Sequence, residues 1–198
     1  MSYPVNLSGA CPPKVSRLLM LARVFFGMIY VGIPHGFCLM FRGIATAFLS
    51  FLAFWAILFT GKYPKKFFDF NVGTTRWGIG VMSYMLFLTD VYPPFTGKES
   101  GFPITYTVDY PESLSRLMLI VRTLFGIIYV GIPHGFILYF RMIAMAVISF
   151  ISFWAILFTG KFPEKMWGFI LNTLKWVSRV GAYMGNMTDV YPPFTGKE

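Results

Sequence analysis

Apolar residues gather into two long blocks, each followed by a more polar segment that ends in the same few letters. From Arg17 to Gly61 only Arg23, His35 and Arg42 interrupt the first block, and from Arg116 to Gly160 only Arg122, His134 and Arg141 interrupt the second. Gly43 to Gly61, GIATAFLSFLAFWAILFTG, carries no charge, and neither does Met142 to Gly160. A helix of that length crosses a hydrocarbon core of roughly 30 Å. Inside each block, GIPHG combines a φ-locking proline with glycines, which reads as a turn. The pattern therefore predicts one helix from about Arg17 to Ile33 and another, beginning between Pro34 and Arg42, that ends at Thr60. The second block repeats both, at Arg116 to Ile132 and up to Thr159. Pro64 and Pro163 then stop or bend the chain. Short extended segments precede each block, over Tyr3 to Leu7 and Phe102 to Val108, where ITYTV alternates as a strand does.

Displacing the chain by 99 residues superposes it on itself without a gap. YVGIPHGF at Tyr30 returns at Tyr129, FWAILFTGK at Phe54 returns at Phe153, and TDVYPPFTGKE closes both halves. Such self-similarity sets the architecture before any local reading: two tandem units, residues 1–99 and 100–198. The third segment of each unit, Lys65 to Asp90 and Glu164 to Asp189, is amphipathic. In the second copy Lys165, Gly168, Asn172, Lys175, Arg179 and Asn186 recur on one face, with Met166, Phe169, Ile170, Leu174, Val177 and Met184 on the other. That is the pattern of a helix lying in a membrane interface. The expected fold class is all-α integral membrane: per unit, a transmembrane helical hairpin plus an amphipathic interfacial helix. This amounts to four spans with parallel repeats, the alternative being six spans with inverted repeats. With four, every Lys and Arg except Arg42 and Arg141 falls on the side of the termini, as the positive-inside rule requires of a cytoplasmic N-terminus. The expected location is the cell inner membrane, multi-pass, with both termini cytoplasmic.

Composition agrees. The chain of 198 residues is 56% apolar, 20% aromatic and 13% charged, where soluble domains carry roughly 25% charged residues. Its net charge of +9 is spread along the flanks of the apolar blocks rather than run together, so a nucleic-acid partner is not expected. MSYPVNLSGACPPK lacks the order of a cleaved leader. Cys11 and Cys38 have Tyr110 and Ile137 as counterparts and read as ordinary small apolar residues.

The series SRL, IPH, FWAILFTGKYP, RW and LTDVYPPF resembles an uncharacterised family of prokaryotic membrane proteins, domain of unknown function 4389, in two tandem copies. WAILFTG-K-aromatic-P and the closing YPPF are its most specific parts. The second unit departs at Lys175, where the first has Arg76, and at Asn186, where the first has Phe87. The resemblance implies membrane architecture and transfers no catalytic residue.

His35 and His134 are the only histidines. Two imidazoles at equivalent positions can ligate a haem iron or help hold a metal, whereas a histidine in a turn more often caps or hydrogen-bonds. No cofactor is expected, haem b being the one considered. An arginine within a span is by default a functional hint. Arg17, Arg23 and Lys62, with Arg116, Arg122 and Lys161, form the candidate site for an anionic lipid headgroup or a partner carboxylate. Asp90 and Asp189 can pair with the arginines, and Pro34, Pro133, Trp55 and Trp154 read as structural, the tryptophans with Tyr63, Trp77 and Tyr92 as depth anchors. No HExxH, GxSxG, GxxxxGK[ST] or CxxC is present, and catalysis is not expected. The expected function is a non-catalytic membrane scaffold or accessory subunit, with membrane lipids, other membrane subunits or itself as partners. A lipid-handling or permeation protein is the first alternative, and a haem-bearing electron carrier using His35 and His134 the second.

Overall fold

The computed structural model describes residues 3–196. In chain order it contains β1 (Val5–Ser8), α1 (Arg17–Thr60), α2 (Lys65–Met85), β2 (Thr105–Val108), α3 (Arg116–Thr159) and α4 (Glu164–Met184). Helices predominate, and α1 and α3 are the two that are long and apolar enough to cross a membrane.

The chain does not turn at IPHG, so the expected hairpin is absent. Met28–Gly32 and Ile127–Gly131 form π-helical turns, and the helix continues through the proline to Thr60 or Thr159. The reason is local. Pro34 cannot donate to the carbonyl of Tyr30, one helical turn back. The Tyr92 hydroxyl donates to that carbonyl instead, at 3.0 Å, and Tyr191 does the same for Tyr129 at 3.0 Å. With the orphaned acceptor satisfied from outside, proline is tolerated and the helix runs on.

Each long helix starts on a serine cap, Ser16 or Ser115, whose hydroxyl accepts from the third N–H of the helix. Each ends on a left-handed glycine, Gly61 (φ 73°) or Gly160 (φ 71°), where a Cβ would be strained. α2 and α4 then fold back against the long helix of their own repeat. They finish in paired C-terminal bonds, Leu88 N–H to Ser83 and Phe87 N–H to Tyr84, with Met187 and Asn186 as counterparts.

The repeats interlock. The start of α1 is tied to the end of α3: Val15 N–H donates to the Gly160 carbonyl at 2.9 Å, and Leu114 N–H donates to Gly61 at 2.8 Å. The long helices therefore run antiparallel. β1 and β2 pair antiparallel, with Leu7 opposite Tyr106. β1 packs on α4 and β2 on α2, so each strand covers the helix of the other repeat. Val5, Leu7, Ile104 and Tyr106 point into one core with Met20, Ile57, Phe68, Leu119, Ile156 and Ile170, and Asn6, Ser8, Thr105 and Thr107 point outward.

Candidate functional site

α1 has two unlike faces. Met20, Arg23, Gly27, Val31, His35, Ala53 and Ile57 are buried against the rest of the protein. Leu18, Phe25, Ile29, Ile33, Phe37, Phe41, Ile44, Phe48, Phe51, Trp55 and Phe59 are exposed, spaced three, four or seven apart as one helical face requires. α3 repeats the stripe from Leu117 to Phe158. A helix of this length runs about 66 Å, and large apolar side chains exposed along the whole of it make a longer contiguous patch than soluble monomers usually leave bare. Trp55 and Trp154 sit in it, each 43% exposed. Tyr63 and Trp77, read from sequence as depth anchors, are buried instead.

The charges of the blocks turn away from this face. Arg23 is 2% exposed; Nη1 donates to the carbonyls of Tyr84 and Thr89, each at 2.9 Å, and Nη2 pairs with Asp90. Arg122, 3% exposed, pairs with Asp189 at 2.6 Å and donates to Asn186 Oδ1 at 3.0 Å. Both guanidinium groups lie 4.1 Å from a tyrosine ring centroid, Tyr84 or Tyr183. Each therefore locks the C-terminal end of α2 or α4, where a cation is favoured, onto the long helix. Arg42 and Arg141 stand near mid-helix rather than at a hairpin. They donate from Nε to Thr74 at 3.0 Å and Thr173 at 2.9 Å and lie over Phe70 and Phe169.

The headgroup set read from sequence is re-sorted by the fold. Arg23 and Arg122 are enclosed and face carboxylates of their own repeat. Arg17 donates from Nη2 to the Phe158 carbonyl at 2.9 Å and packs on Gly160, which brings it beside Lys161. Arg116 reaches Phe59 at 3.1 Å, next to Gly61 and Lys62. Two exposed basic pairs result, Arg17 with Lys161 and Arg116 with Lys62, one at each junction of the long helices. Spacing along the chain could not reveal this, because each pair crosses between repeats.

The histidines are fully buried. Trp77 Nε1 donates to His35 Nδ1 at 2.8 Å, and Trp176 to His134 at 3.0 Å. An indole N–H only donates, so Nδ1 is the acceptor and the proton sits on Nε2. Phe95 and Phe194 stack on the imidazoles at 3.9 and 4.0 Å. Among the described residues Nε2 is enclosed with no polar partner. A ring covered on its face, engaged at Nδ1 and closed at Nε2 does not fit axial haem ligation. Among the described residues no group of three metal-ligating side chains converges.

The profile of the domain of unknown function DUF4389 matches residues 17–97 and again residues 117–196, so the chain belongs to that family in two copies. No curated protein and no solved structure gives a significant match.

Proposed function

We propose that this two-copy member of the family is a non-catalytic scaffold or accessory subunit of the inner membrane, seated by the apolar faces of α1 and α3. The observation that carries this reading is the continuous apolar stripe on both long helices, with every charge of those helices turned inward or placed at the ends. The long helices lie along the membrane rather than across it. Arg76 of α2 donates to the Tyr106 carbonyl at 2.9 Å, and the adjacent Trp77 reaches His35 near the middle of α1. The two-stranded sheet is therefore level with mid-helix. A crossing orientation would sink Asn6, Ser8, Thr105, Thr107 and both open strand edges to mid-bilayer depth, where open strands are not tolerated. Lying flat keeps the strand layer in water, on the cytoplasmic side with both termini. The basic pairs Arg17–Lys161 and Arg116–Lys62 then meet anionic headgroups at the rim.

Native mass measurement on protein extracted from its host in mild detergent tests this. The expected result is bound anionic phospholipid or a partner membrane polypeptide. Replacing all four basic residues by Gln is expected to remove the lipid. A bare chain that also floats with no liposome contradicts the proposal.

A further inference from the structure

The repeats descend from nearly one sequence, so a difference in shape between them is informative. Between α2, the closing loop of the first repeat and β2 lies a cleft of about 390 Å³. Trp77, Pro93, Phe102 and Tyr106 form its apolar walls, and Arg76 and Lys98 its basic side. Gly80 lies on the cleft wall: the nearest atoms a methyl there would meet belong to Phe102 and Pro93, at 3.6 and 3.9 Å, ordinary contact distances. The equivalent of Gly80 in the second repeat is Arg179. Arg179 is 3% exposed. It donates to the carbonyls of Val5 at 3.3 Å and Thr195 at 3.2 Å and lies 5.0 Å from the Tyr3 ring centroid. Val5, Thr195 and Tyr3 are the 99-residue counterparts of Ile104, Thr96 and Phe102, all of which line the cleft. The second repeat therefore fills with a guanidinium the space that the first leaves open.

We infer that the cleft beside Gly80 is a binding site for a small organic anion with an apolar, ring-sized body, open in the first repeat and plugged by Arg179 in the second. Its volume falls within the range of small-molecule sites, roughly 300–1,000 Å³. Arg76 is held rigidly by Nε on Tyr106 and Nη1 on Gly97, each at 2.9 Å. Its Nη2 meets Glu99 at 3.2 Å, and that carboxylate is 75% exposed. An exposed pair contributes little, so a ligand carboxylate displaces Glu99 readily and takes the Nη2 donor of Arg76. Arg76 and Lys98 against Glu99 leave the cleft net positive.

The test uses the full chain in lipid nanodiscs, with the apolar face already covered, and 3-phenylpropionate as probe against neutral 3-phenylpropanamide, read by ligand-observed NMR. Saturable 1:1 binding of the carboxylate is expected, at least about 10-fold tighter than the amide, the scale of one charge-assisted bond. Gly80→Ala, whose methyl has room, keeps that affinity, and Gly80→Arg lowers it by about 10-fold or more while the unfolding midpoint holds. Binding unchanged in a folded Gly80→Arg variant overturns the inference, as does no saturable binding of the carboxylate. Should Gly80→Arg fail to fold, Arg179→Gly combined with Lys175→Arg, which supplies the counterpart of Arg76, decides: a second equivalent of probe supports the inference, and a single equivalent overturns it. The binding is read in water, so neither outcome bears on how the long helices meet the bilayer.

Discussion

In the first repeat Arg23 holds backbone carbonyls at the end of α2, and the left-handed position there is Phe87 (φ 62°). In the second, Arg122 reaches the side chain of Asn186, which occupies the same position (φ 58°). On this interior side one copy also exchanges Gly80 for Arg179 and Thr46 for Met145. The exposed faces of α1 and α3 differ otherwise: Phe25 becomes Leu124 and Phe48 becomes Val147, while Phe37, Phe41, Phe51, Trp55 and Phe59 keep their identities. Apolar replaces apolar at these positions; Val24 becomes Thr123, whose hydroxyl donates back to the Leu119 carbonyl at 2.8 Å. Seated in lipid as proposed, that face would need only hydrophobicity, so it would constrain composition loosely and drift would be harmless. The packed side constrains shape and hydrogen bonding, and a change there alters what the repeat can do.

The sharpest way to break this comparison is to remove the element that both copies share. Arg23→Leu takes the cation from Asp90, which keeps only the Ser16 N–H, and the side-chain donor from the Tyr84 and Thr89 carbonyls, and is expected to cost about 3 kcal/mol, the low end for a broken buried pair because Asp90 is partly exposed. Arg122→Leu should cost as much, read as unfolding midpoints in mild detergent; a loss in only one repeat would mean the two locks are not equivalent. Next, Asn186→Ala loses both the bond from Arg122 and a residue suited to positive φ, about 2 kcal/mol together. Phe87→Ala loses apolar packing instead and leaves Arg23 bonded. Trp77→Phe and Trp176→Phe strip the donor from a buried imidazole and are expected to cost about 1–2 kcal/mol each, equally in both repeats. Tyr92→Phe exposes the carbonyl freed by Pro34, about 1 kcal/mol.

The smallest effect concerns pH. Burial pushes the Tyr3 phenol up to about 12, although Arg179 pulls it the other way. An unfolded tyrosine loses its proton near about 10, so the folded state holds the proton longer. The associated stability is complete below about pH 10 and disappears as the pH rises through 12. Tyr3→Phe should flatten that alkaline decline in the midpoint, and an unchanged decline would assign it to the other buried phenols, among them Tyr106, which burial also raises.

The repeat and the short strands were legible because each is a periodicity, and so was the helical character of the third segment; its interfacial placement was not, because the basic stripe holds Lys175 and Arg179, only 5% and 3% exposed, while Val177 of the face read as apolar is exposed. The junction of the first and second predicted helices was misread because proline and glycine signal a turn only when no outside group satisfies the freed carbonyl. Here Tyr92 and Tyr191 do so from about sixty residues away in sequence, beyond any local window. Asp90 and Asp189 were identified as partners for the arginines by charge alone. The cross-repeat basic pairs and the strand exchange depend on how two copies interlock, which one copy's pattern does not contain. The difference between Gly80 and Arg179 was visible in the alignment of the halves, but its meaning needed the cleft.

Collision accessibility of spin labels at single cysteines tests most directly the proposed seating of α1 and α3 along the membrane. With Cys11 and Cys38 replaced by Ala, labels at Leu18, Phe37, Phe48 and Phe59 are predicted to be reached by oxygen and shielded from water-soluble relaxants at one similar depth, while labels at Ser8 and Thr105 are in water. Leu18 and Phe59 emerging in water on opposite sides of the bilayer, with only the middle of α1 shielded, would contradict it.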